Sequence, residues 1–333
     1  MTTIKEVAAA AGVKPATVSY VMNGTGAVSQ GTRERVLAIA AQLNYAPSHL
    51  ARSLQRRTSR TLGLVVPSSR SGEYVGALLG GIADGAAARG YDLLLASPVA
   101  EGERATYTAL WRSRRIDGLI ILDAQEQDER VADARELGVP YVCVGRPDDD
   151  SPYVAIDVEG ATMEALAHLI VLGHERIALI TPPLEWALAV EQDRAYRSAL
   201  EEAGLPWIDE YVVEGGTTEV DGYSAAADLL ALPEPPTAIL AGSAALAFGT
   251  MRAAHEAGRE IGADLALIAW DDPTSAAYLT PPLTAVRQPL AQLGRAGADL
   301  LVEAIEGPQQ HREALLQAQL IVRQSCGEVL RRP

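Results

Sequence analysis

Cysteine appears only twice in the 333 residues, as Cys143 and Cys326. Two positions so far apart, with five scattered histidines, give no metal-ligand spacing. Cys143 sits in an apolar run and reads as a small buried hydrophobe. No glycine-rich phosphate loop follows the first apolar run, and no serine elbow or cysteine–histidine signature stands out. The expectation is a protein that is not an enzyme, with no catalytic residue, no metal and no cofactor. No apolar run reaches the length of a membrane span, and the polar, helical start is unlike a signal peptide. A cytoplasmic location away from the membrane is expected. Lysine is nearly absent while arginine is plentiful, which points to coding bias rather than to function.

Acidic residues are scarce at the start of the chain. Between Met1 and Arg60 the only acids are Glu6 and Glu34, against Lys5, Lys14, Arg33, Arg35, Arg52, Arg56, Arg57 and Arg60, a charge of +6. The whole chain carries −15, which leaves −21 for residues 61–333. A basic head on an acidic body fits a head that seeks a polyanion and a body that repels it. A merely solvated basic tail would be of low complexity. This head instead has apolar periodicity, helix caps and turn glycines.

Thr3-Ile4-Lys5-Glu6 has the form of a capping box, a hydroxyl at the N-cap and a carboxylate three residues on. Ile4, Val7 and Ala8 share one helical face. Gly12 can take the positive φ of a tight interhelical turn. A second helix is predicted from Pro15, a residue suited to the first helical position. Val18 and Val21 face inward on it, and Asn23-Gly24 ends it. Ser29 can cap a third helix with the apolar stripe Val36, Ile39, Ala40 and Leu43. Two short helices about a glycine turn, buttressed by a third, make a helix-turn-helix over residues 1–46.

The second helix of such a unit lies in the DNA major groove. Its first turn and outward face are Pro15, Ala16 and Tyr20. Pro15 and Ala16 can select mainly through apolar contact with thymine methyls, although each also serves simply to start or favour a helix. Tyr20 brings one hydroxyl. Thr17, Ser19, Asn23 and Thr32 are short polar groups suited to phosphate oxygens. Lys14 cannot cap a helix, but it can reach a phosphate.

Thr3-Ile-Lys-Glu-Val-Ala, Ala11-Gly-Val, Ala16-Thr-Val-Ser19 and Asn23-Gly24 resemble the opening of the LacI/GalR family of bacterial repressors. Thr32-Arg-Glu-Arg-Val36, Leu43-Asn-Tyr-Ala-Pro47 and Leu50-Ala-Arg-Ser-Leu54 continue the likeness in order. It runs on to Pro281-Pro-Leu-Thr284 and Gln288-Pro289. The resemblance implies base contacts by Pro15, Ala16 and Tyr20, and a hinge helix and linker over 47–60. The stretch from Ser48 to Gln55 is about two turns, too short to be stable alone. In the family two such helices pair in the homodimer and enter the minor groove. Leu54 then corresponds to the leucine that wedges between base pairs. Ala51 lets the helix approach the groove floor, Gln55 touches a base edge, and Arg52 meets phosphate.

From Thr61 onward, short apolar runs alternate with amphipathic helical stretches. The runs include Leu62–Pro67, Asp92–Ala96, Gly118–Leu122, Tyr141–Val144, Ile177–Ile180, Thr237–Ala241 and Leu265–Ala269. The helical stretches include Glu73–Arg89, Glu101–Arg114, Val158–Leu172, Glu191–Ala203 and Ser243–Ala257. Continuous apolar runs suit strands buried on both faces, and their alternation with helices means open parallel α/β sheets. The body, residues 61–333, exceeds one comfortable core, so two subdomains are expected.

The resemblance makes them a periplasmic-binding-protein-like pair around an effector cleft, joined by three crossovers near Asp157–Gly160, Val286–Pro289 and Val322–Ser325. One subdomain is then 61–157 plus 289–322, the other 158–288 plus 323–333. Ligands collect at the carboxyl ends of strands in such sheets. That singles out Arg70, Tyr74, Arg146, Trp186, Ser243, Trp270 and Asp271. By resemblance, Arg194 grips the effector and Asp271 is the effector-binding acid. A salt bridge between these two that closes the cleft is the structural alternative. Gly242-Ser243-Ala244, Gly145 and Thr217 depart from the family and remove partners for sugar hydroxyls. The effector is a sugar or another polar metabolite. The reading that emerges is a homodimeric regulator, a repressor in type, on near-palindromic double-stranded operator DNA. A regulator of this fold without an effector and a solute-binding protein are the alternatives.

Overall fold

Thr3 fixes where the chain first turns helical. Its side chain accepts from the Glu6 N–H, and its own N–H donates to Glu6 Oε2 at 2.7 Å, so the capping box is complete. Helix α1 runs Ile4–Ala11 and stops at Gly12 in the left-handed region. Helix α2 is Pro15–Asn23 and ends at Gly24, and α3 is Gln30–Gln42. Val7, Ala8, Ala11, Val18, Val21, Val36 and Ala40 bury together as the core of this three-helix head. Leu43, expected on the apolar stripe of α3, is 37 % exposed. Ser29 stands at the N-cap of α3, but its hydroxyl donates to Thr32 Oγ1 at 2.9 Å and makes no cap bond.

This computed structural model describes residues 2–45, 58–66, 73–99, 102–124, 127–147, 150–307 and 312–327. The chain divides into two compact units, Met1–Arg60 with Arg114–Ile116, which holds the head, and Thr61–Ser113 with Asp117–Pro333, which holds the body.

The body holds two six-stranded sheets. The first has the order β11-β5-β4-β3-β1-β2. Its strands are β1 Thr61–Val65, β2 Asp92–Ala96, β3 Gly118–Ala124, β4 Tyr141–Gly145, β5 Tyr153–Ile156 and β11 Glu313–Leu316. All of its pairings are parallel. The second has the order β12-β10-β9-β8-β6-β7. Its strands are β6 Ile177–Thr181, β7 Val212–Glu214, β8 Ala238–Ala241, β9 Ala266–Trp270, β10 Thr284–Arg287 and β12 Gln319–Ile321. Only the β10–β12 pair is antiparallel. Strands β6, β8 and β9 are buried at every residue, as continuous apolar runs require.

The helices between strands are α4 Glu73–Ala88, α5 Glu103–Arg112, α6 Glu129–Leu137, α7 Val158–Val171, α8 Ala187–Ala203, α9 Glu219–Leu230, α10 Ala244–Glu256 and α11 Leu290–Glu306. Helix α8 begins before the expected Glu191, with Trp186 at its N-cap position. Each subdomain locks one helix pair through glycines that leave no room for a side chain. A Cβ on Gly81 of α4 would lie 2.1 Å from the Ala291 carbonyl oxygen of α11. In the second subdomain, a Cβ on Gly249 of α10 would lie 2.0 Å from the Glu219 carbonyl oxygen of α9.

The chain passes between the sheets at three places. Asp157 follows β5 and caps α7, accepting from the Gly160 N–H at 2.9 Å. Gln288 and Pro289 join β10 to α11. The third passage lies between β11 and β12, at Gln317 and Ala318, ahead of the expected Val322–Ser325. Residues 319–321 therefore belong with the second sheet. The reason is hydrogen bonding: Gln319–Ile321 pairs with β10 before the chain reaches Val322. No described helix is long and apolar enough to cross a membrane.

Candidate functional site

In the head, Val18 and Val21 point into the core, and this inward pair sets what the rest of α2 can present. Lys14, Pro15, Ala16 and Tyr20 are exposed, while Thr17 and Ser19 are half-buried. Asn23 is the last residue of α2. Lys14 makes no side-chain cap bond, as its chemistry dictates. The turn after α2 folds back on it. The Thr25 N–H donates to the Tyr20 carbonyl at 3.0 Å, the bond of a Schellman-type end. Thr32 is half-buried, with its hydroxyl engaged by Ser29. Ala51, Arg52, Leu54, Gln55 and Arg70 lie outside the described residues.

In the body, the candidate site is built at the carboxyl ends of three neighbouring strands. Register pairs Ile180 with Ala241 and Ala241 with Ala269. One step further on, Thr181, Gly242 and Trp270 form a row across β6, the end of β8 and β9. Adjacent residues in register point to the same face of a sheet. Helix α8 covers that face, with Gln192, Ala195, Tyr196, Ala199 and Leu200 buried beneath it. The Tyr196 hydroxyl pins the helix by donating to the Ile177 carbonyl at 2.7 Å. Gln192 lies over Gly242: a Cβ at residue 242 would fall 2.6 Å from Gln192 Oε1. The missing side chain of Gly242 is what makes room for this amide.

Thr181, Gln192 and Trp270 are fully buried. Yet Thr181 Oγ1, both amide atoms of Gln192 and Trp270 Nε1 have no hydrogen-bond partner. A buried polar group without a partner costs about 1–3 kcal/mol, so several in one row call for an explanation. Together they offer donors and an acceptor and carry no charge.

Two consecutive carboxylates follow this row, in opposite situations. Asp271 stands in the left-handed region at φ 71 and accepts from Gln288 Nε2 on the second passage. Burial pushes its pKa up to about 6, against the pull of that hydrogen bond. Asp272 is gripped instead. The Arg323 guanidinium donates to both its oxygens, at 2.8 and 3.0 Å, and Arg287 donates to Oδ2 at 2.8 and 2.6 Å. Burial acts to raise its pKa, but the bonds from Arg323 and Arg287 outweigh it and hold the carboxyl below its ordinary value.

The remaining expected positions scatter around this row. Tyr74 is half-buried in the first turn of α4 and packs on the core. Ser243 spends its hydroxyl on capping α10 through the Leu246 N–H, 3.2 Å. Trp186 is 39 % exposed. Arg146 and Arg194 are exposed. Burial raises the pKa of Glu191, and the charges of Arg146 and Arg194 both oppose that rise.

The Trp270 ring is fully buried in the core, in one cluster with Ile268 and Val286. Only its unpartnered indole nitrogen stands at the row. One residue of α8 that the sequence reading did not single out, Gln192, lies against the strand ends. The helix turns its 192, 195, 196 and 199 positions inward, while Arg194 is exposed. Inward spacing at three and four residues from the apolar Ala195 and Tyr196 was the available signal for Gln192. Among the described residues, no group of three or more His, Cys, Asp or Glu side chains is placed to hold a metal ion.

Residues 3–48 match the family described as bacterial regulatory proteins, lacI family, and residues 166–326 match a periplasmic binding protein-like domain. The HTH-type transcriptional regulator CelR of Thermobifida fusca is 34 % identical over 332 residues, covering 97 % of this chain and 98 % of that protein. A structure of a CelR–cellobiose complex superposes with a TM-score of 0.74 at 32 % identity, over 98 % of this chain and 100 % of that one. The lac repressor dimer bound to operator and the anti-inducer ONPF superposes with a TM-score of 0.87 at 28 % identity, over 98 % and 99 %.

Proposed function

Because the chain belongs to the LacI family of bacterial transcriptional regulators, we propose that its head binds double-stranded operator DNA and its body a small-molecule effector. The protein works as a homodimer, by binding rather than by catalysis, in the cytoplasm where operators lie. The related lac repressor is a dimer on its operator, which supports this reading. The observation that carries the effector half is the row of buried, unpartnered polar groups at Thr181, Gln192 and Trp270. A ligand that supplies the missing hydrogen bonds removes their cost, and so prefers the conformation that holds them. Gln192 and Asp271 are its main contacts, with Ser243, Trp186, Tyr74, Arg146 and Arg194 around them, and Arg70 assigned there from sequence.

For DNA, Pro15, Ala16 and Tyr20 read bases, while Lys14, Thr17, Ser19, Asn23 and Thr32 position the head on phosphates. Residues 47–60 are the hinge, with Ala51, Arg52, Leu54 and Gln55 directed to the minor groove. The +6 of residues 1–60 against −21 beyond makes binding steeply dependent on salt. A plot of log affinity against log salt with a slope near zero overturns the DNA half. Thermal-shift screening of the whole chain with cellobiose and a metabolite library tests the effector half. A hit whose shift disappears in Gln192→Leu and which changes operator affinity supports it. A library without any such hit leaves a regulator of this fold that has no effector.

A further inference from the structure

Of the three residues on the outward face of α2, only Tyr20 can hydrogen-bond to a base edge. Pro15 and Ala16 offer carbon alone. Whatever fixes the direction of the Tyr20 hydroxyl therefore weighs heavily on which sequence is read. Tyr20 is 51 % exposed, and an exposed side chain on a helix is ordinarily free to change rotamer. Here the backbone holds it. The chain bends back after Gly24, and Gly26, at φ 78, comes to lie against the ring. A Cβ built on Gly26 would sit 3.0 Å from Tyr20 Cγ, 3.3 Å from Cδ1 and 3.4 Å from Cβ. That spacing is too tight for an unmoved ring. The bare backbone of Gly26 is thus a seat for the tyrosine.

We infer that Gly26 is a positioning residue: it sets the direction in which Tyr20 presents its hydroxyl, and so helps select the operator sequence. The inference rests on the reading of Tyr20 as a base contact. A methyl group at residue 26 pushes the ring away near its root. The hydroxyl, at the far end of the ring, swings further than the root moves. Binding sites lose selectivity when the shell that supports a contact residue shifts by a fraction of an ångström.

Gly24 supplies the control. It is also left-handed, at φ 67, but a Cβ there meets nothing within 4 Å. Both positions have a positive φ, so alanine is strained at either. Only alanine at 26 touches the ring.

The test is selection of duplexes from a randomised DNA library by the full chain, as wild type, Tyr20→Phe, Gly26→Ala and Gly24→Ala. Gly26→Ala should weaken preference roughly tenfold at the same symmetric pair of positions that Tyr20→Phe alters. Gly24→Ala should keep the wild-type consensus. Affinity for non-specific duplex should be the same for wild type and Gly26→Ala, since no charge changes. If Tyr20→Phe alters the consensus and Gly26→Ala does not, the seat is refuted and the base contact stands. If Tyr20→Phe leaves the consensus unchanged, the base contact itself fails. If Gly24→Ala and Gly26→Ala act alike, backbone strain and not the ring is responsible, and the inference falls.

One measurement does not depend on the alanine variants folding. In the NMR spectrum of the wild-type chain, the Gly26 Hα protons should carry a ring-current shift that vanishes in Tyr20→Ala. Unshifted protons overturn the seat.

Discussion

The head and the body build their candidate sites in opposite ways. The head presents groups that already stand in water: Pro15, Ala16 and Tyr20 lie on a convex helix face and cost the fold nothing. The body hides its groups. Thr181, Gln192 and Trp270 are fully buried without partners, and Asp271 holds a carboxyl that burial makes reluctant to ionise. The difference matches the two proposed ligands. A DNA groove is wide and brings its own charge, so exposed side chains suffice. On the proposed reading a small molecule is surrounded, and it supplies partners for buried polar groups such as these. Substitutions in the body site should therefore move stability, while substitutions in the head site should move recognition only.

The largest effect is expected where the body is satisfied rather than poised. Asp272→Asn leaves Arg323, whose side chain is 15 % exposed, without its charged partner. Breaking a buried pair costs about 3–5 kcal/mol, and because Arg287 is half exposed the low end of that range is expected. The native carboxyl titrates below its ordinary value, so this stability is present above the ordinary carboxylate range and fades as pH falls through the native value. Denaturant unfolding at pH 7.5 and at pH 3.5 measures both. Equal curves for variant and wild type at pH 7.5 would mean the ion pairs contribute nothing.

Its neighbour should do the reverse. The Asp271 pKa rises from an ordinary 3.8 to about 6 in the folded protein. Above pH 6 the native state bears the cost of a buried charge, and below the ordinary value both states are protonated and the cost is gone. A shift of roughly two units corresponds to about 3 kcal/mol at most. Asp271→Asn should raise stability by up to that amount at pH 7.5. The gain should shrink between pH 6 and pH 4 and vanish below. A gain that does not change with pH would separate it from the titration of this carboxyl.

Gln192→Leu should come next, with a gain of about 1–3 kcal/mol in the ligand-free protein, since leucine has no amide to leave unsatisfied. A fall in melting temperature would mean that the amide holds the fold together and is not poised for a ligand. The smallest effect on stability belongs to the head. Tyr20→Phe should leave the melting curve of the chain unchanged while altering the selected DNA consensus. A lowered melting temperature would erase the contrast between the two sites, because it would give Tyr20 a structural role as well.

The amino-acid sequence by itself settled what is local. The capping box at Thr3, Gly12, Pro15 and the inward Val18 and Val21 define the helix-turn-helix, because each signal acts within a turn or two of chain. The buried strands were legible as apolar runs, since a parallel strand covered on both faces needs no polar position. The charge contrast between the head and the rest of the chain is simple addition. Only the tertiary structure decided which residues meet at the strand ends. Thr181, Gln192, Gly242 and Trp270 come from four separate segments; spacing from Ala195 and Tyr196 marks Gln192 as inward, but which strand ends it meets depends on register and packing. An arginine motif drew attention to Arg194, and the packing of Ala195 and Tyr196 adds Gln192 against the strand ends. The third passage between sheets likewise fell at Gln317 and Ala318 because pairing with β10 captures the chain early. Propensity and pattern act along the chain, whereas unsatisfied polar atoms are a property of what surrounds them, and that exists only once the fold has formed.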